Sequence, residues 1–272
     1  MRLTFAGCGS AFTVGTDNYQ SNMLLTLDRD DTAQGQGTGK VSRHLLIDCG
    51  SDARFSLPRI GIQRASDIDA VYVTHTHADH IGGLEWLALN CRYGPVRRRP
   101  RLIVPAELRG PLWDHSLAGG LAYSEEGPST LDTYFEVTAA SAQEPFVWEG
   151  VSFLTVPVVH VDGGTLRMIS YGLFLRADGR NVYISSDAKF DPELATRRYI
   201  TDADIIFHDC ETGPRSGVHS HYEDLCGLPA EVRGKMWLYH YSPGELPDAV
   251  AAGFRGFVQR GQIFDFQSPE TL

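Results

Sequence analysis

Thr74-His75-Thr76-His77-Ala78-Asp79-His80-Ile81-Gly82-Gly83 follows directly on the apolar run Ala70-Val71-Tyr72-Val73. The β-branched and aromatic run predicts a strand, and the glycine pair with the apolar positions after it predicts a turn into a helix. Three imidazoles and a carboxylate at such a junction converge on one small volume. Imidazole with carboxylate suits zinc and similar divalent ions. Alternation lets His75 and His77 face one point, while Asp79 and His80 turn toward another. The competing reading is a surface histidine cluster with no bound ion.

Three further candidate ligands each end a strand-like run: His160 after Phe153–Val156, Asp187 after Val182–Ser186, and His240 after Met236–Tyr239. Any one alone reads as a satisfied core or loop residue. Their shared position supports a composite site, because loops at one edge of a sheet scaffold collect ligands from distant sequence.

Eleven β-rich runs are predicted as strands: Leu3–Ala6, Met23–Leu27, His44–Asp48, Ala70–Thr74, Arg101–Val104, Val151–Val156, Tyr171–Arg176, Asn181–Ser185, Asp204–His208, Met236–His240 and Gln262–Phe266. Helices are predicted at Gly83–Cys91, Pro105–Leu117, Pro192–Arg198, His221–Leu225 and Pro247–Ala252. So many strands exceed one open sheet, so the expected architecture is α/β, with two packed sheets and helices on the outer faces, in one domain over residues 1–272. Asp28–Ser42 reads as an extended hairpin loop, Gly110–Ser141 as irregular, and no internal repeat is visible.

A formal net charge of −10 opposes loose binding to a long polyanion, because such binding neutralises many phosphates. No stable nucleic-acid partner is therefore expected, while a small anionic substrate is compatible. There is no run of the roughly 18 apolar residues a membrane span needs, and the five cysteines have no C-x-x-C spacing. A cytoplasmic protein without disulfides or membrane contact is the expectation.

The H-x-H-x-D-H motif, with His160, Asp187 and His240 downstream, resembles the metallo-β-lactamase superfamily over nearly the full length. The resemblance implies an αββα sandwich. In it His75, His77 and His160 would hold one metal, Asp79, His80 and His240 a second, and Asp187 would bridge them. Two zinc ions are implied, with manganese an alternative. No cysteine stands at the bridging position, where some lactam-hydrolysing members carry one. A dinuclear site suits phosphodiesters, because cations about 3.5–4 Å apart stabilise attacking and leaving oxygens together and acidify water.

Phe207-His208-Asp209-Cys210-Glu211-Thr212 and Val218-His219-Ser220-His221 look like the acid and histidine pair of the tRNA 3′-processing endonuclease branch. That match implies that Asp209 orients a histidine, His219 or His221, which protonates the leaving oxygen; Asp79 counts among the expected catalytic residues as well as among the ligands. His221 also fits a helix cap. The processing branch carries a long glycine- and proline-rich arm, whereas Val161–Ser186 reads as two strands with a turn at Ala177-Asp178-Gly179. Together with Lys235-Met236-Trp237-Leu238-Tyr239-His240-Tyr241, the pattern is most similar to the anti-Pycsar phosphodiesterases, phage-encoded and related bacterial proteins that degrade cyclic mononucleotide defence signals.

This resemblance implies opening of cyclic CMP and cyclic UMP, and also cyclic AMP and cyclic GMP, to nucleoside 5′-monophosphates by a homodimer. A tRNA-processing nuclease and a non-catalytic nucleotide sponge are the alternatives. Trp113, Tyr123, Tyr134 and Phe135 are candidates for base stacking, or else close the core of their own loop. Arg92, Arg97–Arg99 and Arg101 read as a solvated face or a phosphate collector. Ala6–Ala11 reads as a tight turn beneath the metal edge, and Asp48-Cys49-Gly50 as structural or as support behind the ligands.

Overall fold

The computed structural model describes residues 1–15, 17–30 and 40–268. The first half of the chain contributes β1 (Arg2–Phe5), β2 (Met23–Asp30), β3 (Lys40–Ile47), β4 (Ala70–Tyr72), β5 (Arg101–Pro105), a small hairpin of β6 (Tyr123–Ser124) and β7 (Gly127–Pro128), and β8 (Glu136–Ala140). The second half contributes β9 (Phe146–Trp148), β10 (Val151–Asp162), β11 (Arg167–Ala177), β12 (Arg180–Ile184), β13 (Ile205–Asp209), β14 (Met236–Tyr239), β15 (Gly256–Phe257) and β16 (Ile263–Asp265). All eleven predicted strands are present, and the αββα layering is as expected.

The two seven-stranded sheets run β16-β1-β2-β3-β4-β5-β8 and β9-β10-β11-β12-β13-β14-β15. Each has three antiparallel pairings followed by three parallel ones. The repetition is architectural and leaves no repeat in the sequence.

Period-two alternation divides the strand side chains between layers. Leu3, Phe5, Met23, Leu25, Leu45, Ile47 and Tyr72 join Leu173, Leu175, Val182, Ile184 and Phe207 in one cluster. Leu24, Leu46, Val71 and Leu102 face the other way, onto Leu57, Leu84, Leu87 and Cys91.

The helices are α1 (Ala53–Arg59), α2 (Ala78–Ile81), α3 (Leu84–Tyr93), α4 (Ala106–Leu112), α5 (Ala118–Leu121), α6 (Leu131–Tyr134), α7 (Arg198–Thr201), α8 (Tyr222–Cys226) and α9 (Ala230–Arg233). The predicted helix Pro105–Leu117 is α4 continuing into a π-turn over Trp113–Leu117, where Pro111 has withdrawn a backbone donor. Gly110–Ser141 is thus more ordered than expected, holding α5, the β6–β7 hairpin, α6 and β8. The edge strand β8, Glu-Val-Thr-Ala-Ala, carries little β-forming signal of its own.

Pro192–Arg198 gives one 3₁₀ turn at Leu194–Thr196 before α7. Pro247–Ala252 is not helical, because the Asp248 carboxylate accepts from Ala251 N at 2.9 Å and holds a turn instead. In the predicted loop Asp28–Ser42 the two strands extend to a pairing of Asp30 with Lys40, and residues 31–39 lie outside the described residues. Among the described residues no helix is long and apolar enough to cross a membrane.

Candidate metal centre

The parallel strands end at a common edge, and the candidate ligands stand on the segments leaving them. Asp48 follows β3, residues 75–80 follow β4, Asp187 follows β12, Asp209 ends β13 and His240 follows β14. Asp48 (φ 61°), Ser186 (φ 55°) and His240 (φ 64°) are all in the left-handed region, which side chains other than glycine rarely adopt. Such strain persists where surroundings over-determine it, and here it turns three strand exits toward one point. His160 reaches the same point from mid-strand, because β10 bulges between Val159 and Val161 and frees the residue from regular pairing.

The ligand turn is clamped by the segment after β3. Cys49 N donates to His80 O at 2.7 Å, and Gly83 N donates to Cys49 O at 2.8 Å. A Cβ at Gly50 would lie 2.1 Å from the Asp79 carbonyl oxygen, so only glycine permits this approach. Ala6–Ala11 forms a seam between the sheets, where His240 N donates to Cys8 O and Ser10 N to Tyr241 O.

Two ligand groups result, sharing one carboxylate. In the first, His77 Nδ1 lies 3.2 Å from His75 Nε2 and 3.1 Å from His160 Nε2. Asp187 Oδ2 is 3.7 and 3.6 Å from those two Nε2 atoms. In the second, Asp79 Oδ2 lies 3.2 Å from His80 Nε2 and 3.3 Å from His240 Nε2, while Asp187 Oδ1 is 3.3 and 3.5 Å from the same nitrogens.

Tetrahedral zinc with bonds of about 2.0–2.1 Å has ligand-to-ligand edges of about 3.3–3.4 Å, so both groups have the spacing of coordination shells. His80 Nε2 and Asp187 Oδ1 are buried with no hydrogen-bond partner, an arrangement that costs stability unless something fills it. The residues present therefore fit a pair of divalent cations.

Supporting contacts fix which ring nitrogen faces inward. Asp48 Oδ2 accepts from His80 Nδ1 at 2.6 Å and from Thr74 Oγ1 at 2.7 Å, and Asp48 Oδ1 accepts from Thr74 N at 2.9 Å. Thr74 Oγ1 in turn lies 3.1 Å from His75 Nδ1. One buried carboxylate thus orients an imidazole of each group. His160 Nδ1 donates to Val218 O at 3.0 Å, leaving its Nε2 inward. Sequence reading gave Asp48 a supporting place but missed Thr74, whose position just before the histidines was the available signal.

Burial holds His75, His77 and His160 below the usual imidazole pKa, keeping them neutral as ligands must be. Burial also opposes charge on His80 and His240, but the surrounding carboxylates together outweigh it, Asp187 with Asp48 and Asp79 around His80 and Asp187 with Asp209 and Asp79 around His240. The pKa of His80 is driven well above its ordinary value and that of His240 to about 10. Asp187 and Asp79 are themselves buried, yet the surrounding imidazoles hold both well below the carboxylate range. This half of the site demands positive charge, and without a cation the two imidazoles supply it.

Asp209 Oδ2 accepts from His219 Nδ1 at 2.9 Å and from Ala188 N at 2.9 Å. Burial disfavours the charged form of His219, but Asp209 prevails and raises its pKa. The His219 ring stands 4.9 Å from those of both His160 and His240. Asp209 and His219 also come within ligand distance of Asp187 and His240, which makes them geometrically possible ligands as well.

His221 is placed differently. It is the N-cap of α8, its Nδ1 accepting from Glu223 N at 3.3 Å and its Nε2 donating to Gly213 O at 3.1 Å. Both nitrogens are committed locally, so the expectation that it could protonate a leaving group is corrected in favour of helix capping.

The aromatic candidates separate as well. Tyr134 and Phe135 are fully buried in the outer layer of the first sheet, and the Tyr134 hydroxyl donates to Leu121 O at 2.9 Å. Neither can stack on a substrate, which corrects that expectation. Trp113 packs partly against the same cluster, and only Tyr123 keeps an open ring, at 85% exposure. In the arginine run, Arg98 bonds Asp69 at 3.0 Å and Arg99 bonds Asp132 O at 3.0 Å, consistent with a solvated face.

Comparison with known proteins places this arrangement. Residues 1–264 match the family described as Anti-Pycsar protein Apyc1. The Anti-Pycsar protein Apyc1 of Paenibacillus xerothermodurans is 35% identical over 270 residues, covering 98% of each chain. That of Bacillus phage vB_BsuM-Goe3 is 32% identical over 272 residues, covering 96% of each. Among solved structures, the metallo-β-lactamase fold protein YhfI from Bacillus subtilis superposes with a TM-score of 0.65 at 17% identity, covering 97% of this chain and 98% of that one. With the fold shared across the whole sandwich and the sequence related almost end to end, the chain belongs to the anti-Pycsar Apyc1 family and has the metallo-β-lactamase fold, with a candidate divalent-metal centre.

Proposed function

We propose that this protein hydrolyses 3′,5′-cyclic mononucleotides, cyclic CMP and cyclic UMP and also cyclic AMP and cyclic GMP, to nucleoside 5′-monophosphates, and so counteracts Pycsar antiviral signalling. The observation that carries this reading is Asp187, whose two oxygens serve the two ligand groups separately, the arrangement a dinuclear phosphodiesterase needs. His75, His77, His160 and Asp187 Oδ2 would hold one cation, and Asp79, His80, His240 and Asp187 Oδ1 the other. Zinc suits this imidazole-rich set, with manganese the alternative. Bound there, the cations would stabilise phosphoryl charge and acidify water.

The chain's own residues supply the rest. Breaking the bond from phosphorus to the 3′-oxygen leaves an alkoxide whose conjugate acid is weak, so departure requires a proton. His219 is the donor. Asp209 fixes its Nδ1 and raises its pKa above the ordinary imidazole value, favouring the protonated ring and leaving Nε2 to deliver the proton. Within this reading Asp209 acts as the orienting partner rather than as a ligand, its Oδ2 occupied by His219 and Ala188 N and its Oδ1 lying 3.3 Å from His240 Nδ1, the nitrogen of that ring turned away from Asp79.

A small diester suits the surroundings better than a folded RNA. Net charge is −10, and the β10–β11 hairpin closes between Asp162 and Arg167 with no long arm. The proposal includes a single domain, a cytoplasmic homodimer and stacking by Tyr123. Zinc-loaded protein is expected to convert cyclic CMP to CMP within a panel that also contains cyclic dinucleotides and precursor tRNA. Cleavage of tRNA alone, or tight binding of cyclic CMP without turnover, would defeat it.

A further inference from the structure

A second cavity lies across the second sheet from the metal centre. It has a volume of about 460 Å³, within the range of small-molecule sites. Successive residues of a strand face opposite sides. Phe207 therefore points between the sheets, where its ring meets that of Phe5 at 5.4 Å, whereas His208 and Tyr183 face outward and line this cavity.

Its floor is polar and incompletely used. Tyr183 is 0% exposed and its hydroxyl has no hydrogen-bond partner, which is costly for a buried donor. His208 is buried beside it and uses only Nδ1, toward Asp209 O at 2.7 Å. Tyr199, its ring 4.6 Å from that of Tyr183, and Phe190 give aromatic walls. Two of the charged lining residues, Arg197 and Asp191, pair with each other at 2.7 Å, and Asp162 pairs with Arg167 at 3.1 Å. Lys189 is the lining cation with no ion-pair partner within 4 Å among the described residues, although its charge also acts on the Asp162 carboxylate at the rim.

We propose that this cavity is a binding site for a nucleoside 5′-monophosphate, separate from the metal centre, with the base between the Tyr199 and Phe190 walls, over the buried floor of Tyr183 and His208, and the phosphate at Lys189. A planar heteroaromatic ring with polar edges matches the aromatic walls and the unpaired floor, and a single anionic group matches the single unpaired cation. The existence of the site rests on the cavity. The choice of a nucleotide rests on the hydrolytic reading above.

The test is titration calorimetry with cytidine 5′-monophosphate on the full chain carrying His77→Ala, in the presence of a chelator so that neither ligand group holds a cation and one site is left to measure. Binding is expected to persist there, to weaken about 5- to 150-fold with Tyr199→Ala, as the loss of one base–aromatic stack predicts, and to weaken further with Lys189→Glu. Lys189 is exposed, so its variant remains informative should Tyr199→Ala misfold. Absence of binding in His77→Ala, or affinity unchanged by both further substitutions, overturns the proposal. A parallel cyclic CMP turnover assay on the unsubstituted protein separates the two readings: turnover without this binding sinks only the cavity, and binding without turnover sinks only the hydrolytic assignment.

Discussion

Replacing Asp48 by asparagine tests whether one buried carboxylate sets both halves of the metal centre. Its oxygens accept from His80 Nδ1 at 2.6 Å, Thr74 Oγ1 at 2.7 Å and Thr74 N at 2.9 Å. An asparagine of the same shape keeps one acceptor oxygen and presents an NH₂ group in place of the other. If the amide faces Thr74 N, two donors meet; if it is flipped, the NH₂ opposes both His80 Nδ1 and Thr74 Oγ1. Either way at least one buried donor loses its acceptor, at about 1–3 kcal/mol.

In the flipped arrangement the His80 tautomer reverses, its proton moving to the nitrogen that would ligate. Loss of such a supporting contact typically lowers metal affinity about 10–100-fold. The effect is expected first at the His80 group, and then at the His75 group through Thr74. Elemental analysis after dialysis against graded zinc buffers, with thermal unfolding of the same samples, gives the readout. Asp48→Asn protein that retains two equivalents of zinc with affinity within twofold of the parent would refute this account of how the ligands are oriented.

His219→Ala is expected to lower kcat about 10²–10⁴-fold while leaving metal content unchanged, with a smaller loss on a diester whose leaving group needs no proton; equal losses on both substrates, or loss of metal, would remove the proton-donor role. Because His80 and His240 are held protonated when no cation is present, metal binding should release protons and weaken as pH falls; an affinity independent of pH between 6 and 8, roughly the span over which imidazoles usually titrate, would contradict that. Burial lowers the pKa of His44 below its ordinary 6.5, so the unfolded chain binds the extra proton and the stability due to this group, complete above 6.5, is lost as pH falls through the folded pKa. Urea unfolding at several pH values should show His44→Gln flattening that decline, and an identical slope would be the contrary result. Tyr134→Ala should cost about 3–5 kcal/mol, as for a fully buried aromatic, whereas Tyr123→Ala should leave the midpoint nearly unchanged; equal midpoint shifts would contradict the burial difference between them.

The sequence by itself determined the cluster of imidazoles and carboxylates and the strands that carry it. The six residues from His75 to His80 are contiguous, so local geometry alone brings them together, and period-two alternation in Met23–Leu27 and His44–Asp48 is a local property that survives folding unchanged. Tertiary structure decided what depends on distant partners. His219 and His221 are indistinguishable in sequence, and only the fold shows one bonded to Asp209 and the other capping α8. Trp113, Tyr123, Tyr134 and Phe135 are likewise equivalent as letters, and their burial depends on which surfaces the layers of the first sheet bring against them. The bulge that frees His160 and the left-handed turns at Asp48, Ser186 and His240 carry no residue signature, because packing from both sheets imposes them against the intrinsic preference of those side chains.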